Sequence, residues 1–128
     1  MISHYYLSLL ALVFLALSIA TIKARKKAQI AVGTEGDKLL LRRNRAHGNF
    51  AEYVPIAIML VYANEFAGAA SWLVHGLGAL LLVGRLVHAY GISQLKENLK
   101  FRVSGMLCTL ISILVGAISL LTLQLMQH

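Results

Sequence analysis

The chain has 128 residues, of which 59% are hydrophobic and 13% are charged, and its formal net charge is +7. Soluble domains average about 25% charged residues, so this composition excludes an ordinary soluble domain and indicates a membrane protein. The length is enough for one domain with about four spans of roughly 20 residues each. The single cysteine, Cys108, excludes a disulfide framework or a cysteine-based metal site within one chain.

The first predicted element is an uncharged apolar run over residues 5–22. Basic residues follow this run, whereas a secretory signal peptide carries them in front, so we predict a retained first span. The connection after it contains Gly33 and Gly36, which are typical of turns. Asp37 is placed to cap an early start of the second helix.

Three further spans are predicted, over residues 45–66, 72–92 and 103–126. Small residues in the last span are four and three positions apart, which places them on one helix face and predicts close packing in lipid. They are Gly105, Thr109, Ser112, Gly116 and Ser119. The expected fold is therefore an all-α, integral membrane four-helix bundle that forms a single domain over residues 1–128.

The basic residues predict the orientation of the bundle. Eight lie between spans one and two or at the first residue of span two, three lie between spans three and four, and the connection on the opposite side has none. The positive-inside rule then puts both basic loops in the cytoplasm and both termini outside. Because the charges lie at the ends of apolar runs, topology explains them better than nucleic-acid binding does, and we predict no nucleic-acid partner.

Polar side chains within spans two and three lie close to these basic loops. On span two, Arg45, Asn49 and Glu52 are four and three residues apart and share a helix face. On span three, Arg85 and His88 are three residues apart and share another. Charges inside a membrane are costly unless they are paired, so such residues face inward and mark functional sites. A Glu52–Arg85 salt bridge is the purely structural alternative.

These residues predict a site for an anion. The cytoplasmic half would collect many cationic and polar groups against one carboxylate, that of Glu52. They are Lys23, Arg25, Arg45, Asn49, Arg85, His88 and Arg102. The planar fork of arginine pairs bidentately with carboxylate or phosphate, and the carboxylate beside it indicates that the ligand also carries an ammonium. These features alone leave glutathione and a phospholipid headgroup open.

Two segments carry a resemblance to a known family, "RNRAHGNFAEYVP" at residues 43–55 and "GRLVHAYG" at residues 84–91. They resemble the MAPEG superfamily, the membrane-associated proteins in eicosanoid and glutathione metabolism. The resemblance covers the whole chain, and the chain looks most like the small bacterial branch. It implies four-helix protomers that form a homotrimer in the bacterial inner membrane. It also implies a glutathione site between neighbouring subunits near the cytoplasmic face.

The resemblance implies roles for individual residues. Arg102 is similar in position to the arginine that stabilises the glutathione thiolate, and it is the implied catalytic residue. The end of the first helix supplies one more basic residue, Lys23, Arg25 or Lys26, of which Arg25 is our prediction. The implied glutathione-binding residues are Arg45, Asn49, Glu52, Tyr53, Arg85, His88 and Arg25.

The function that this resemblance implies is a membrane glutathione transferase or peroxidase. Glutathione would be the co-substrate, and lipophilic electrophiles would enter from the surrounding membrane lipid. The chain departs from eicosanoid-making members at Gly48, where some have a basic residue, and at Ile92, where they have a tyrosine. These departures favour a second alternative, a non-enzymatic trimer that binds lipid or glutathione without turnover. A small proton-coupled multidrug transporter is a third, although its essential carboxylate belongs in the first helix, which has no charge here.

Overall fold

The computed structural model describes residues 1–128, which form four α-helices and no strands. The helices are α1 (Ile2–Ala28), α2 (Lys38–Phe66), α3 (Ser71–Ser93) and α4 (Leu99–Met126). Of these, α1, α3 and α4 are long and apolar enough to cross a membrane. The expected all-α membrane bundle is confirmed. Helices suit this environment because they satisfy their backbone hydrogen bonds internally, where lipid offers no partners.

The second helix is less apolar than the other three, since Asn49, Glu52 and Asn64 interrupt it. It is 29 residues long, which corresponds to about 43 Å at the rise of an α-helix. It contacts all three other helices, whereas α1 and α4 do not contact each other. The buried Asn64 amide donates to the carbonyl oxygen of Gly116 on α4 at 2.8 Å. We infer that α2 crosses the membrane alongside the partners that satisfy its polar side chains.

Helices extend beyond the predicted spans at the end where α1 and α3 finish and α2 and α4 begin, which we call the basic end. The Asp37 carboxylate accepts a hydrogen bond from the Leu40 amide at 2.8 Å, which confirms the predicted cap of α2. Asn98 caps α4 in the same way, accepting from the Lys100 amide at 3.1 Å. Most basic side chains at this end are therefore held on helical turns, and Lys96 lies in the α3–α4 connection.

Glycines bring α3 and α4 into close contact. A Cβ atom added to Gly105 would lie 2.5 Å from the carbonyl oxygen of Gly84 and from the backbone nitrogen of His88. A Cβ atom on Gly91 would lie 2.9 Å from the backbone nitrogen of Arg102. The buried residues of α4 are Gly105, Thr109, Ser112 and Gly116, and Ser119 is half-buried, which confirms the predicted stripe of small residues. This contact holds the start of α4, and with it Arg102, against the end of α3.

Candidate functional site

A groove lies at the basic end between α2, the end of α3 and the start of α4, with a volume of 590 Å³. Pockets for small ligands have volumes of about 300–1,000 Å³, so the groove has room for a small organic molecule. Its lining residues are Lys38, Leu41, Arg42, Arg45, Ile92, Leu95 and Arg102. More than half of them are cations, which favours a negatively charged ligand.

Arg85 is buried inside the bundle without a carboxylate partner. Its guanidinium Nη2 donates to Asn49 Oδ1 at 2.7 Å and lies 3.2 Å from His88 Nδ1. Because a guanidinium can only donate, Nδ1 of His88 is the acceptor in this contact. The guanidinium also lies over the Phe50 ring, 5.7 Å from its centroid. The predicted residues Asn49, Arg85 and His88 therefore form one cluster that joins α2 to α3.

This cluster is largely closed to the surroundings of the chain. Arg85 is 0% exposed and His88 is 2% exposed, while Asn49 is half-buried. The Nε atom of Arg85 is buried and has no hydrogen-bond partner. Asn49 is thus the member of the cluster that a ligand reaches first, and a direct contact with Arg85 requires side chains to move.

Glu52 pairs with Arg45 and not with Arg85. The distance from Glu52 Oε1 to Arg45 Nη1 is 3.4 Å, and the two side chains are 55% and 49% exposed. The pair spans two turns of α2 across Gly48. The alternative of a Glu52–Arg85 salt bridge is wrong, because the only salt bridge of Glu52 is with Arg45, while Arg85 on α3 donates to Asn49. Glu52 is therefore an exposed carboxylate next to Arg45, which lines the groove.

The expectation of a single carboxylate at this end is wrong as well. Glu97, in the α3–α4 connection, lies 2.8 Å from Arg42 Nη1 and 3.3 Å from Arg102 Nε, and its side chain is only 7% exposed. Arg42 also donates to the carbonyl oxygen of Ile92 at 3.4 Å. Glu97 and Arg42 are functional candidates that sequence reasoning missed. The short distance in sequence between Glu97 and Arg102 was the one available signal.

Two other predicted residues lie apart from these contacts. Arg25 donates to the Gly33 carbonyl oxygen at 2.8 Å and to Asn44 Oδ1 at 3.4 Å, so it holds the α1–α2 connection. Tyr53 is half-buried one turn after Asn49 on α2. The structure therefore brings Arg45 and Arg102 to the groove, joins Asn49, Arg85 and His88 in a separate cluster, and leaves Arg25 out of both.

Comparisons with known proteins place this arrangement in a family. The family model described as the MAPEG family matches residues 3–122. The chain belongs to the MAPEG family. It is 38% identical over 115 residues to "Inner membrane protein YecN" of Escherichia coli strain K12, with 90% of this chain and 86% of that protein covered. The protein of the same name from Escherichia coli O6:H1 shows the same identity and coverage. No solved structure matches the chain.

Membership in the MAPEG family agrees with the architecture, and it makes this an integral membrane protein of the family named for eicosanoid and glutathione metabolism. The match covers all four helices and therefore both walls of the groove. The chemistry that individual members perform is not set by the fold, so the activity depends on the side chains of the groove.

Proposed function

We propose that this protein is a membrane glutathione transferase or peroxidase that acts on lipophilic electrophiles. The observation that carries the proposal is the groove at the basic end, where four cationic side chains from α2 and α4 face one cavity. Glutathione brings two carboxylates, one α-ammonium and a thiol. Arginine and lysine suit the carboxylates, and the exposed carboxylate of Glu52 suits the ammonium.

The charges of the groove fit such a ligand. Lys38, Arg42, Arg45 and Arg102 line it, while Glu97 and Glu52 are the carboxylates paired with them. Four cations against two carboxylates leave a positive excess for an anion to neutralise. A thiolate is the reactive form of glutathione, and a nearby guanidinium favours that form over the thiol. Arg102, in the first turn of α4, is the cation proposed for this role.

The proposal includes a homotrimer in the bacterial inner membrane. Its supports are the family match and the name of the Escherichia coli relative. Neighbouring subunits would close the groove and bring Arg25 of one copy towards the site of the next. In this arrangement membrane lipid surrounds the trimer, and the lipophilic substrate reaches the thiolate from the lipid side.

The test uses the full chain purified in detergent. Native mass spectrometry should give a trimer, and glutathione should raise the free energy of unfolding by about 2.7 kcal/mol at a hundredfold excess over Kd. An analogue with a methyl group in place of the thiol should stabilise the protein similarly but support no turnover. Turnover of electrophiles or hydroperoxides with glutathione would support the transferase or peroxidase. The proposal fails if millimolar glutathione neither stabilises the protein nor is consumed.

A second candidate is a trimer that binds glutathione or lipid without turnover. The observation that favours it is Ile92, which is buried at 6% exposure and lines the groove with an apolar side chain. Eicosanoid-making members of the resembled family have a tyrosine hydroxyl there. Saturable glutathione binding together with no consumption over a broad panel of electrophiles would favour this candidate over the enzyme.

A further inference from the structure

Glu97 connects two cations of the groove that come from different helices. Its Oε1 atom lies 2.8 Å from Arg42 Nη1, at the start of α2, and its Oε2 atom lies 3.3 Å from Arg102 Nε, at the start of α4. Glu97 itself belongs to neither helix but to the α3–α4 connection. One loop carboxylate therefore already occupies cationic groups that face the cavity.

The two contacts differ in strength. The contact with Arg42 is a hydrogen bond, and Arg42 is further fixed through the Ile92 carbonyl oxygen. The contact with Arg102 is longer, and Oε2 of Glu97 makes no hydrogen bond although it is buried. The Arg102 side chain is 40% exposed, against 29% for Arg42, so water reaches the Arg102 guanidinium more readily and weakens its pairing with Glu97. Arg102 is thus the partner that Glu97 can release.

We propose that Glu97 is a resident counter-anion that competes with the anionic ligand for Arg102 and so lowers the affinity of the groove. When the ligand enters, Arg102 turns from Oε2 to the ligand, while Arg42 keeps hold of Oε1. Glu97 therefore does not become an unpaired buried charge in the ligand-bound state, which would be costly. This inference rests on the proposed function for the place of the ligand, and it adds how binding there is controlled.

A merely structural role for Glu97 has the opposite consequence. If Glu97 only ties the α3–α4 connection to α2, its removal loosens the groove, and both stability and ligand affinity fall. If it competes with the ligand, its removal leaves the charges of Arg102 and Arg42 without a carboxylate to neutralise them, and the affinity for an anion rises. The sign of the change in affinity therefore separates the two roles.

The experiment compares the wild-type protein with Glu97→Gln in detergent, using isothermal titration with glutathione and, separately, with inorganic pyrophosphate. We expect the Kd of both probes to fall about three- to tenfold in Glu97→Gln at low salt, as expected for removal of one nearby negative charge. The gain should shrink as ionic strength rises, because salt screens charges that are not fully buried. Glu35→Gln is the matched control, since Glu35 is exposed, lies in the α1–α2 connection and makes no salt bridge.

Glu97→Asp is the second variant in case Glu97→Gln does not fold. This variant keeps the charge but shortens the side chain, so it should lose the longer contact with Arg102. Its Kd should lie between those of the wild-type protein and Glu97→Gln. An unchanged or raised Kd for both probes in a folded Glu97 variant overturns the inference, as does failure of both probes to bind any variant. Tighter pyrophosphate binding without any glutathione binding supports competition by Glu97 and counts against the proposed function alone.

Discussion

Arg85 Nη2 donates to Asn49 Oδ1 at 2.7 Å, and this bond joins α3 to α2 at a buried guanidinium that has no carboxylate partner. A charge buried in this way depends on each acceptor it has, since an unpaired charge in a membrane interior is costly. The hydrogen bond therefore holds α2 against α3 and also stabilises the buried charge of Arg85.

We predict that Asn49→Ala lowers the free energy of unfolding by about 1.5–3 kcal/mol, the worth of a hydrogen bond to a charged group. The double variant Asn49→Leu with Arg85→Met should recover much of this loss, because replacing both partners removes the buried charge itself. Unfolding in detergent measures both effects. Asn44→Ala is the control, since Asn44 accepts from Arg25 at 3.4 Å near the surface. An equal loss in that control would contradict the special position of Asn49.

Glu52→Gln should separate binding from stability. Glu52 is 55% exposed and pairs with Arg45 at 3.4 Å, so its removal should change the free energy of unfolding by less than about 1 kcal/mol. Glutathione binding should weaken by about 1.5–3 kcal/mol if Glu52 receives the α-ammonium. Titration and unfolding of the same preparation give both numbers. A loss of stability with unchanged affinity would make Glu52 a structural residue.

Arg102→Ala should raise the apparent pKa of the glutathione thiol in the groove by about one unit or more, because the variant lacks the cation that favours the thiolate. The thiolate absorbance should then disappear at neutral pH while glutathione still binds. Lys100→Ala is the matched control, since Lys100 is exposed in the first turn of α4 and does not line the groove. Full thiolate signal and full turnover in Arg102→Ala would make Arg102 a headgroup anchor.

Gly105→Ala should destabilise the bundle by about 1–3 kcal/mol, because the new methyl group would meet the backbone of α3 rather than a movable side chain. Gly76→Ala on α3 is the matched control, since nothing lies within 4 Å of its added Cβ atom. That control should be neutral or stabilising, as alanine favours helix over glycine. Thermal unfolding of both variants decides, and a Gly105→Ala protein as stable as wild type would contradict the close contact of α3 with α4.

The orientation is tested with single cysteines at Lys27 and Lys96 in a variant that lacks Cys108. Both positions lie at the basic end, which the positive-inside rule puts in the cytoplasm. An impermeant thiol reagent added to intact cells or spheroplasts should leave both unlabelled, and permeabilisation should expose both. Labelling of either position from outside would contradict the predicted orientation.

The helices could be predicted from sequence because lipid demands long apolar runs and penalises unpaired backbone groups. The spacing of small residues gave the buried face of α4 correctly for the same reason, since helical periodicity is local. The extension of the helices at the basic end was harder to predict from sequence, because beyond the lipid a helix can continue through polar residues. Only the Asp37 cap signalled this in advance.

The site was less predictable because its contacts join residues far apart in the chain. Arg42 and Glu97 are 55 positions apart, and no spacing rule connects an early turn of one helix with a later loop. Helical spacing correctly put Arg45 and Glu52 on one face, but it could not decide that they pair with each other and leave Arg85 to Asn49. The choice of partner depends on helix rotation, which the apolar pattern alone leaves open.

The polar interior of α2 has a consequence for biogenesis. Asn64 donates to the carbonyl oxygen of Gly116, in the second half of the last helix to be synthesised, and Asn49 accepts from Arg85 on α3. When the synthesis of α2 ends, neither partner has yet been translated, and α2 falls short of the apolar character that marks the other three helices as membrane spans. We therefore expect α2 to insert stably in the bilayer only after α3 and α4 have been synthesised and inserted. Reporter fusions that truncate the chain after α2 would then record a transient state of insertion and not the final one.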